Sequence, residues 1–434
     1  MTPGARPAHS LPNTVHAELD QALAAVDAEL DRRYPGDPGD RQPVHTVYVP
    51  ADRYTADTPA DWGRAALALL DQHAPDAASF AAAVGAPAGP AEGAEAAEQY
   101  ARVRAKLADE PVEDLRIDFE DGFAPRPAAE EEAVAADAAH QLAAAVAGGQ
   151  APPFAGIRCQ SLEAAVRDRA VRVLDVFLST LLSHGPLPAG LRLTLPKVSH
   201  PGQATAMAGL CAALERALGL PEGRLRFEIQ VETPAAVLGP DGTATVARLL
   251  DATEGRLTGL HYGTFDYSAA LGISAAHQAP DHPAADHAKA VMQLAAAGTG
   301  VRLSDGSTQV LPVGPPERVR AAWHTHHRLV TRALARGYYQ GWDMHPGHLP
   351  TRYAAVYAFY RAGLPDAAGR LADYAAGTQG ALLDEPATAR ALAGFLLRGL
   401  RCGALAAAEV TGRTGLTLER VTEYAAPRPA SGAR

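Results

Sequence analysis

Five charged positions in this chain each stand where a short apolar stretch ends: the run Asp118-Phe119-Glu120-Asp121, then Arg158, Lys197, Glu232 and Asp266. Two carboxylates such as Glu232 and Asp266, closing successive stretches, can share one hard cation, with water and a substrate oxygen completing the octahedron that Mg2+ prefers. A structural ion pair or a helix cap accounts for the same spacing equally well. In the acidic run, strand alternation sends Phe119 one way and Glu120 the other. Acids this close repel one another unless a cation or hydrogen-bond donors offset them. Asp121, just before Gly122, also suits the start of a turn, which leaves Glu120 as a metal ligand or as a residue holding water beside one. Arg158 ends an apolar stretch, so its guanidinium needs an anion: a substrate carboxylate gripped by both arms of the fork, or Glu120.

Lys197 is one of only three lysines, with Lys106 and Lys289, among 39 basic residues. In a chain that uses Arg so freely, it marks a place where a compact ammonium matters. Two chemistries are open to it. Desolvated, it could form a Schiff base with a carbonyl substrate; ringed by acids, it stays charged and acts electrostatically. Cys159, beside Arg158, is read as a packed thiol. His345, in Met344-His345-Pro346-Gly347-His348, directly follows the last strand-like segment. His277, His282 and His287 recur every five residues in a Pro-containing stretch, as a lid over substrate or as solvated surface. His324, His326 and His327 are expected on a helix surface.

These positions act together only if the elements carrying them converge. Strand-like runs at residues 45–49, 115–119, 154–158, 191–195, 225–231, 257–262, 301–303 (with 308–311 continuing) and 338–342 alternate with helical stretches such as 163–182 and 204–218. Eight strands in such alternation predict an α/β fold, a TIM (β/α)8 barrel, whose strand ends meet at one mouth. Three regions are expected: residues 1–44 as an N-terminal helix and linker, 45–350 as the barrel, and 351–434 as a helical cap or assembly region. Leu19, Leu23, Val26 and Leu30 predict an amphipathic helix, ended by the Pro/Gly stretch 35–43. Residues 84–95 and 147–153, rich in Ala, Gly and Pro, are expected as loops. Tyr353, Val356, Tyr357 and Tyr360 form a stripe suited to packing.

Composition removes several classes of function. A formal charge of −10 argues against nucleic acid as a partner, since a phosphate-backbone binder needs clustered positive charge. Three widely spaced cysteines give no disulfide framework or metal-ligand pair. No leader pattern or apolar run long enough to span a bilayer is legible, so no membrane and a reducing, cytoplasmic compartment are expected.

The motifs, in order, resemble those of the citrate lyase beta-subunit and HpcH/HpaI aldolase family of phosphoenolpyruvate/pyruvate-type barrels. Tyr48-Val49-Pro50-Ala51-Asp52-Arg53 is similar to its "VPGDR" opening, residues 115–122 to its "DLED" strand, and Leu195-Pro196-Lys197-Val198 to its "PKV" strand. Val231-Glu232-Thr233-Pro234 is similar to its "IET" motif, Gly263-Thr264-Phe265-Asp266-Tyr267 with Leu271-Gly272 to "GxxDL…LG", and His345-Pro346 to the closing "HP". The resemblance covers roughly residues 45–350. It implies a carbon-carbon lyase or aldolase in which Glu232 and Asp266 bind Mg2+ or Mn2+, Glu120 supports metal-bound water, and Arg158 binds the substrate carboxylate or stabilises an enolate. Arg53 and Asp52 would contribute to substrate binding and Lys197 to electrostatics. For the base it leaves metal-bound water, an acid of a neighbouring subunit and His345. The chain departs from the pattern in its length and in Gly341-Trp342-Asp343-Met344, which lacks the family's Lys before "HP". With no basic cluster legible for the phosphates of CoA, a free small carboxylic acid is the expected substrate and a CoA thioester the alternative. A homo-oligomer is expected. A barrel serving only as a binding or assembly protein is the non-enzymatic alternative.

Overall fold

The computed structural model describes residues 11, 12, 14–85, 90–378 and 384–426. Eight parallel strands, β1 His45–Pro50, β2 Asp114–Asp118, β3 Phe154–Arg158, β4 Leu191–Leu195, β5 Phe227–Val231, β6 Leu257–Tyr262, β7 Arg302–Asp305 and β8 Gln340–Trp342, pair in chain order and close into a barrel, β8 upon β1. The TIM-barrel fold read from the alternation is therefore the fold of the chain. Leu115, Ile117, Ile157, Leu193, Ile229 and Leu260, all buried, belong to the core under the surrounding helices. The other face of β2, β4 and β5 is polar, with Asp114, Arg116, Asp118, Thr194, Glu228 and Gln230. Arg116 of β2 bonds Thr194 of β4 and Glu228 of β5, and because these strands are not neighbours the contacts pass through the barrel interior.

Three details depart from or add to the sequence reading. Residues 308–311 do not continue β7, because the chain leaves the sheet at Gly306, where a Cβ would run into Thr264 Oγ1. Residues 90–95, expected as loop, open the helix Pro90–Asp109, while 86–89 lie outside the described residues. Residues 148–153 are irregular, as expected. The helix Thr14–Arg33 forms, but Leu19, Leu23, Val26 and Leu30 are all exposed, so its apolar stripe finds no partner among the described residues.

The linker 35–43 crosses the N-terminal ends of the strands, where Gln42 donates to the carbonyl of Leu303 and to Gln340. After β8 the chain is helical: Leu349–Ala376, Pro386–Arg401, Ala407–Thr414 and Leu418–Ala425. Tyr353, Val356, Tyr357 and Tyr360 are buried, and Tyr353 donates its hydroxyl to the carbonyl of Pro111 at 2.9 Å. The stripe is packing. No helix among the described residues is long and apolar enough to cross a membrane.

Candidate active site

Lys197 organises the mouth. It follows Pro196 just beyond β4 with φ 53°, a left-handed conformation rare for a side chain with a Cβ. Its backbone N–H donates to Glu232 Oε1 at 2.7 Å, fixing the carboxylate at the end of β5. Its Nζ reaches three other acids: Asp266, hydrogen-bonded directly, Asp121 at 3.1 Å and Glu120 at 3.4 Å. Asp266 stands in the first turn of the helix Thr264–Ala270, which starts immediately after β6. Gly263, the residue between, is sterically required. A Cβ there would stand 2.7 Å from Glu232 Oε2 and closer still to its Cβ.

Arg158 joins this network through Nη1, 3.2 Å from Glu120 Oε2. Its fork is not open to a ligand, as the sequence reading had it, because Nε and Nη2 both bond Asp118 at 2.7 Å. The acid that neutralises Arg158 is therefore chiefly Asp118, three positions before the expected turn at Asp121. The guanidinium lies over the Tyr48 ring at 4.7 Å and the Trp342 ring at 5.8 Å, a desolvated cation against two π faces. Tyr48 Oη and Trp342 Nε1 are buried without a hydrogen-bond partner, and so is Glu120 Oε2, whose approach to Arg158 lacks hydrogen-bond geometry. Three unsatisfied polar atoms around one buried cation suit a polar ligand.

The electrostatics follow from burial and from one shared ammonium. Burial pushes the Glu120 carboxyl up to about 8, against the pull of Arg158. Burial also raises Glu232, which Lys197 only partly offsets. Asp121 is lowered despite burial, by its hydrogen bond with Glu120 and by Lys197. For Lys197 itself, burial opposes the charge, but Glu232, Asp266, Glu120 and Asp121 outweigh it and hold the ammonium above its usual range. Protonated in this way, Lys197 is a poor nucleophile.

The donor set fits a hard divalent cation. Carboxylate oxygens line the cradle, one of them has no donor, and a positive charge already stands among them. Glu120, Asp121, Glu232 and Asp266 are spread around the ammonium rather than closed on a single point, so Lys197 would have to yield as a metal enters. Among the described residues, one group brings three ligand-type atoms within 4.8 Å of one another: His326, Asp343 and His348. All but one of its atoms are committed, His348 Nδ1 alone being buried without a partner. Asp343 accepts from Arg352, from His45 at 3.0 Å and from His326 at 3.0 Å, while His348 Nε2 faces the carbonyl of Val310. The His326 and His348 rings stack at 4.3 Å, and burial pushes His348 down to about 3. This lattice braces the segment after β8.

Other sequence candidates stand apart from the network. Asp52 is exposed and pairs with Arg126 at 2.9 Å; Arg53, also exposed, follows β1 in the turn Ala51–Arg53. His345 Nδ1 accepts from the N–H of Gly347 at 3.0 Å, capping a turn, and the ring is lowered first by burial and then by His348. No hydrogen bond or ion pair joins it to Lys197 or its acids among the described residues. His282 caps the helix Pro283–Ala296, and His277 and His287 are exposed. His326 is buried, contrary to its expected surface position, because it bonds both Asp343 and Thr351. Cys159 is a buried thiol pushed up to about 12 by desolvation. Asp118, Tyr48, Trp342 and Gln230 of β5, whose Oε1 accepts from Arg158 Nη1 at 3.3 Å, were missed, although the alternation Asp114-Leu115-Arg116-Ile117-Asp118 already sets three charges on one strand face.

Fold and site together define an eight-stranded parallel α/β barrel whose mouth gathers acids around a lysine beside a buried arginine. A family model described as "Domain of unknown function (DUF6986)" matches residues 23–429, and the chain belongs to that family. Comparison with curated proteins finds no match. Among solved structures, the chain is similar to Haloferax volcanii malate synthase in its magnesium/glyoxylate complex, with 15% identity over 88% of this chain and 97% of that one, at a TM-score of 0.48. It is similar also to the protein CitE from Mycobacterium tuberculosis in complex with magnesium, acetoacetate and coenzyme A, with 18% identity over 84% and 99% of the two chains and a TM-score of 0.46. An HpcH/HpaI aldolase/citrate lyase family protein from Burkholderia cenocepacia shares 18% identity over 58% and 85%, with a TM-score of 0.36. At these identities and scores the likenesses add nothing to what the barrel's own topology shows.

Proposed function

We propose that the barrel mouth is the active site of a metal-dependent carbon-carbon lyase or aldolase acting on a small hydroxy- or oxo-acid. One observation carries this reading: Glu120, Asp121, Glu232 and Asp266 converge on a single cation, Lys197, beside the buried guanidinium of Arg158. The order of the motifs around the barrel supports it. In this reading Glu232 and Asp266 hold Mg2+ or Mn2+, which supplies Lewis acidity to a developing enolate. Arg158, fixed by Asp118, offers Nη1 to the substrate carboxylate; the unpartnered Tyr48 Oη and Trp342 Nε1 flank it. Glu120, protonated near neutral pH, is the group that exchanges a proton with the substrate at Oε2. Lys197 keeps the acids from repelling one another and stabilises negative charge during reaction. His345, with only Nε2 uncommitted, and Asp52 and Arg53 are added to the proposed site by the motif resemblance, as no hydrogen bond or ion pair among the described residues joins them to the network.

The free acid is preferred over its CoA thioester, since among the described residues Arg158 is held by Asp118 and Arg126 by Asp52, which leaves no cluster of free arginines for the phosphates. Residues 351–434 are read as an extension for assembly into a homo-oligomer, beside the barrel of 45–350 and the N-terminal 1–44. The test is thermal stability of the EDTA-treated full chain with Mn2+, with pyruvate, glyoxylate or oxalate, and with both. A ligand that binds only the folded state must raise the melting temperature. A rise that needs metal and acid together supports the reading; no shift with any pair leaves only a binding or assembly role. Borohydride reduction with saturating pyruvate is expected to leave Lys197 unmodified, and an adduct there would replace metal chemistry by a Schiff base.

A further inference from the structure

Opposite the acidic mouth, a cavity of about 200 Å³ opens between the linker 35–43, the starts of β7 and β8, and the last turn of the helix Pro386–Arg401. Arg302, Arg398 and Arg401 line it, together with Tyr339. Asp40 pairs with Arg302, and Asp37 with Arg398 at 2.8 Å; Arg401 has no hydrogen-bond or ion-pair partner among the described residues. Three positive and two negative side chains leave a local excess of +1 in a chain whose formal charge is −10. Burial first, and then the crowding of Arg401 and Arg398, hold Arg302 below its usual range in spite of Asp40 and Asp37. An anion would relieve that crowding.

Two alternatives account for less. Basic residues in a last helical turn can answer the C-terminal carbonyls, but Arg398 is turned to Asp37 and to the Tyr339 ring, 4.7 Å away. A purely structural network would also leave no guanidinium over, whereas Arg401 remains. The wall is built for close approach: a Cβ on Gly300, φ 79°, would press on the Gly36 carbonyl at 3.1 Å. A second cavity of about 200 Å³ shares Asp40 and Arg302 and adds Arg192, whose hydrogen bonds reach only backbone carbonyls.

We propose that the N-terminal end of this barrel binds a small phosphorylated anion through Arg401, Arg398 and Arg302, at a site separate from the mouth. Arg302 Nη1 and Nη2 already serve the carbonyls of Arg41 and Asp40 and the Asp40 carboxylate, so it contributes mainly charge, while Arg398 and Arg401 supply the open donors. A phosphate group is favoured over a carboxylate because it brings more charge and three terminal oxygens to these donors. Bound there, it ties the last turn of Pro386–Arg401 to the barrel floor. This assignment does not depend on the chemistry proposed for the mouth.

The test is calorimetric titration of the full chain with inorganic phosphate and with pyrophosphate, in EDTA so that no metal carries the anion. The variants are Arg401→Gln, which removes no intramolecular partner seen among the described residues, and Arg401→Lys. Saturable binding is expected in the unmodified chain, weakened about tenfold or more in Arg401→Gln, the loss of a charge-assisted contact, and less in Arg401→Lys. Lys197→Gln, at the other end, reports whether the anion sits at the mouth instead. No saturable binding up to about 10 mM, a ceiling near 3 kcal/mol of affinity, overturns the assignment. So does binding that Arg401→Gln leaves unchanged.

Discussion

The interior of the barrel carries charge at two levels, and the levels are finished differently. Near the floor, Arg116 bonds Asp114, Glu228 at 2.7 Å and Thr194 at 2.9 Å, while His261 lies 3.2 Å from Glu228 and Thr46 donates to Asp114 at 2.8 Å. Each of these charged groups has its partners. At the mouth, one ammonium serves three carboxylates, Glu120 Oε2 has no donor, and Tyr48 and Trp342 keep unpartnered polar atoms. A fully satisfied buried network rigidifies, whereas a partly satisfied one is costly unless a ligand completes it. That difference, more than the count of charges, separates scaffold from site.

The contrast is easiest to break at the floor. Arg116→Met strands Asp114 and Glu228 without their counter-charge, and the unfolding free energy from urea titration is expected to fall by about 3–5 kcal/mol. A loss under about 1 kcal/mol would show that the floor is no more committed than the mouth. Lys197→Gln should behave in the opposite way. Its partners Asp266 and Asp121 are half-exposed and Glu120 holds a proton near neutral pH, so stability should change by no more than about 1 kcal/mol, while turnover of a 2-oxo acid should drop about a hundredfold. Equal losses of stability in the two variants would erase the distinction.

Two further variants sharpen it. Gly263→Ala drives a methyl group against Glu232, and a cost of about 1–3 kcal/mol is expected, with weaker metal binding in the folded protein. Glu120 supplies a pH signature. Its carboxyl titrates near the usual 4.5 when unfolded and at about 8 when folded. Between those values the folded chain keeps a proton that the unfolded chain releases, so the contribution is full below the lower value and is lost as pH rises toward the upper. Stability should therefore decline across this window by up to about 5 kcal/mol more in the unmodified chain than in Glu120→Gln. Parallel pH profiles from urea unfolding would remove Glu120 from the account.

Much of this was legible in the sequence because strand ends announce themselves. β3, β4 and β6 have the expected bounds, and the five strand-end charges meet in one network. What was not legible depended on pairing across the barrel. Nothing local says that Arg158 takes Asp118, forty residues earlier, before Glu120. The rarity of lysine was a weaker guide than it looked. Lys106 meets Glu110 at 2.6 Å and Glu113 at 2.8 Å, and Lys289 meets Asp305 at 2.9 Å, so all three lysines sit among carboxylates. Lys197 differs in meeting three acids with its ammonium and in being the most exposed, at 21% against 11% for Lys106 and 5% for Lys289. The leucine stripe of Thr14–Arg33 is helical as expected but exposed, and the burial of His326 was misread: a period gives a face, and only the fold says what the face meets.

The central claim, that the acids around Lys197 form a cradle for a divalent cation, is tested most directly by calorimetric titration of Mn2+ into the EDTA-treated chain and into Glu232→Gln and Asp266→Asn. Saturable binding, weakened about tenfold or more in each variant, is the predicted result. Affinity that both variants leave unchanged would contradict it.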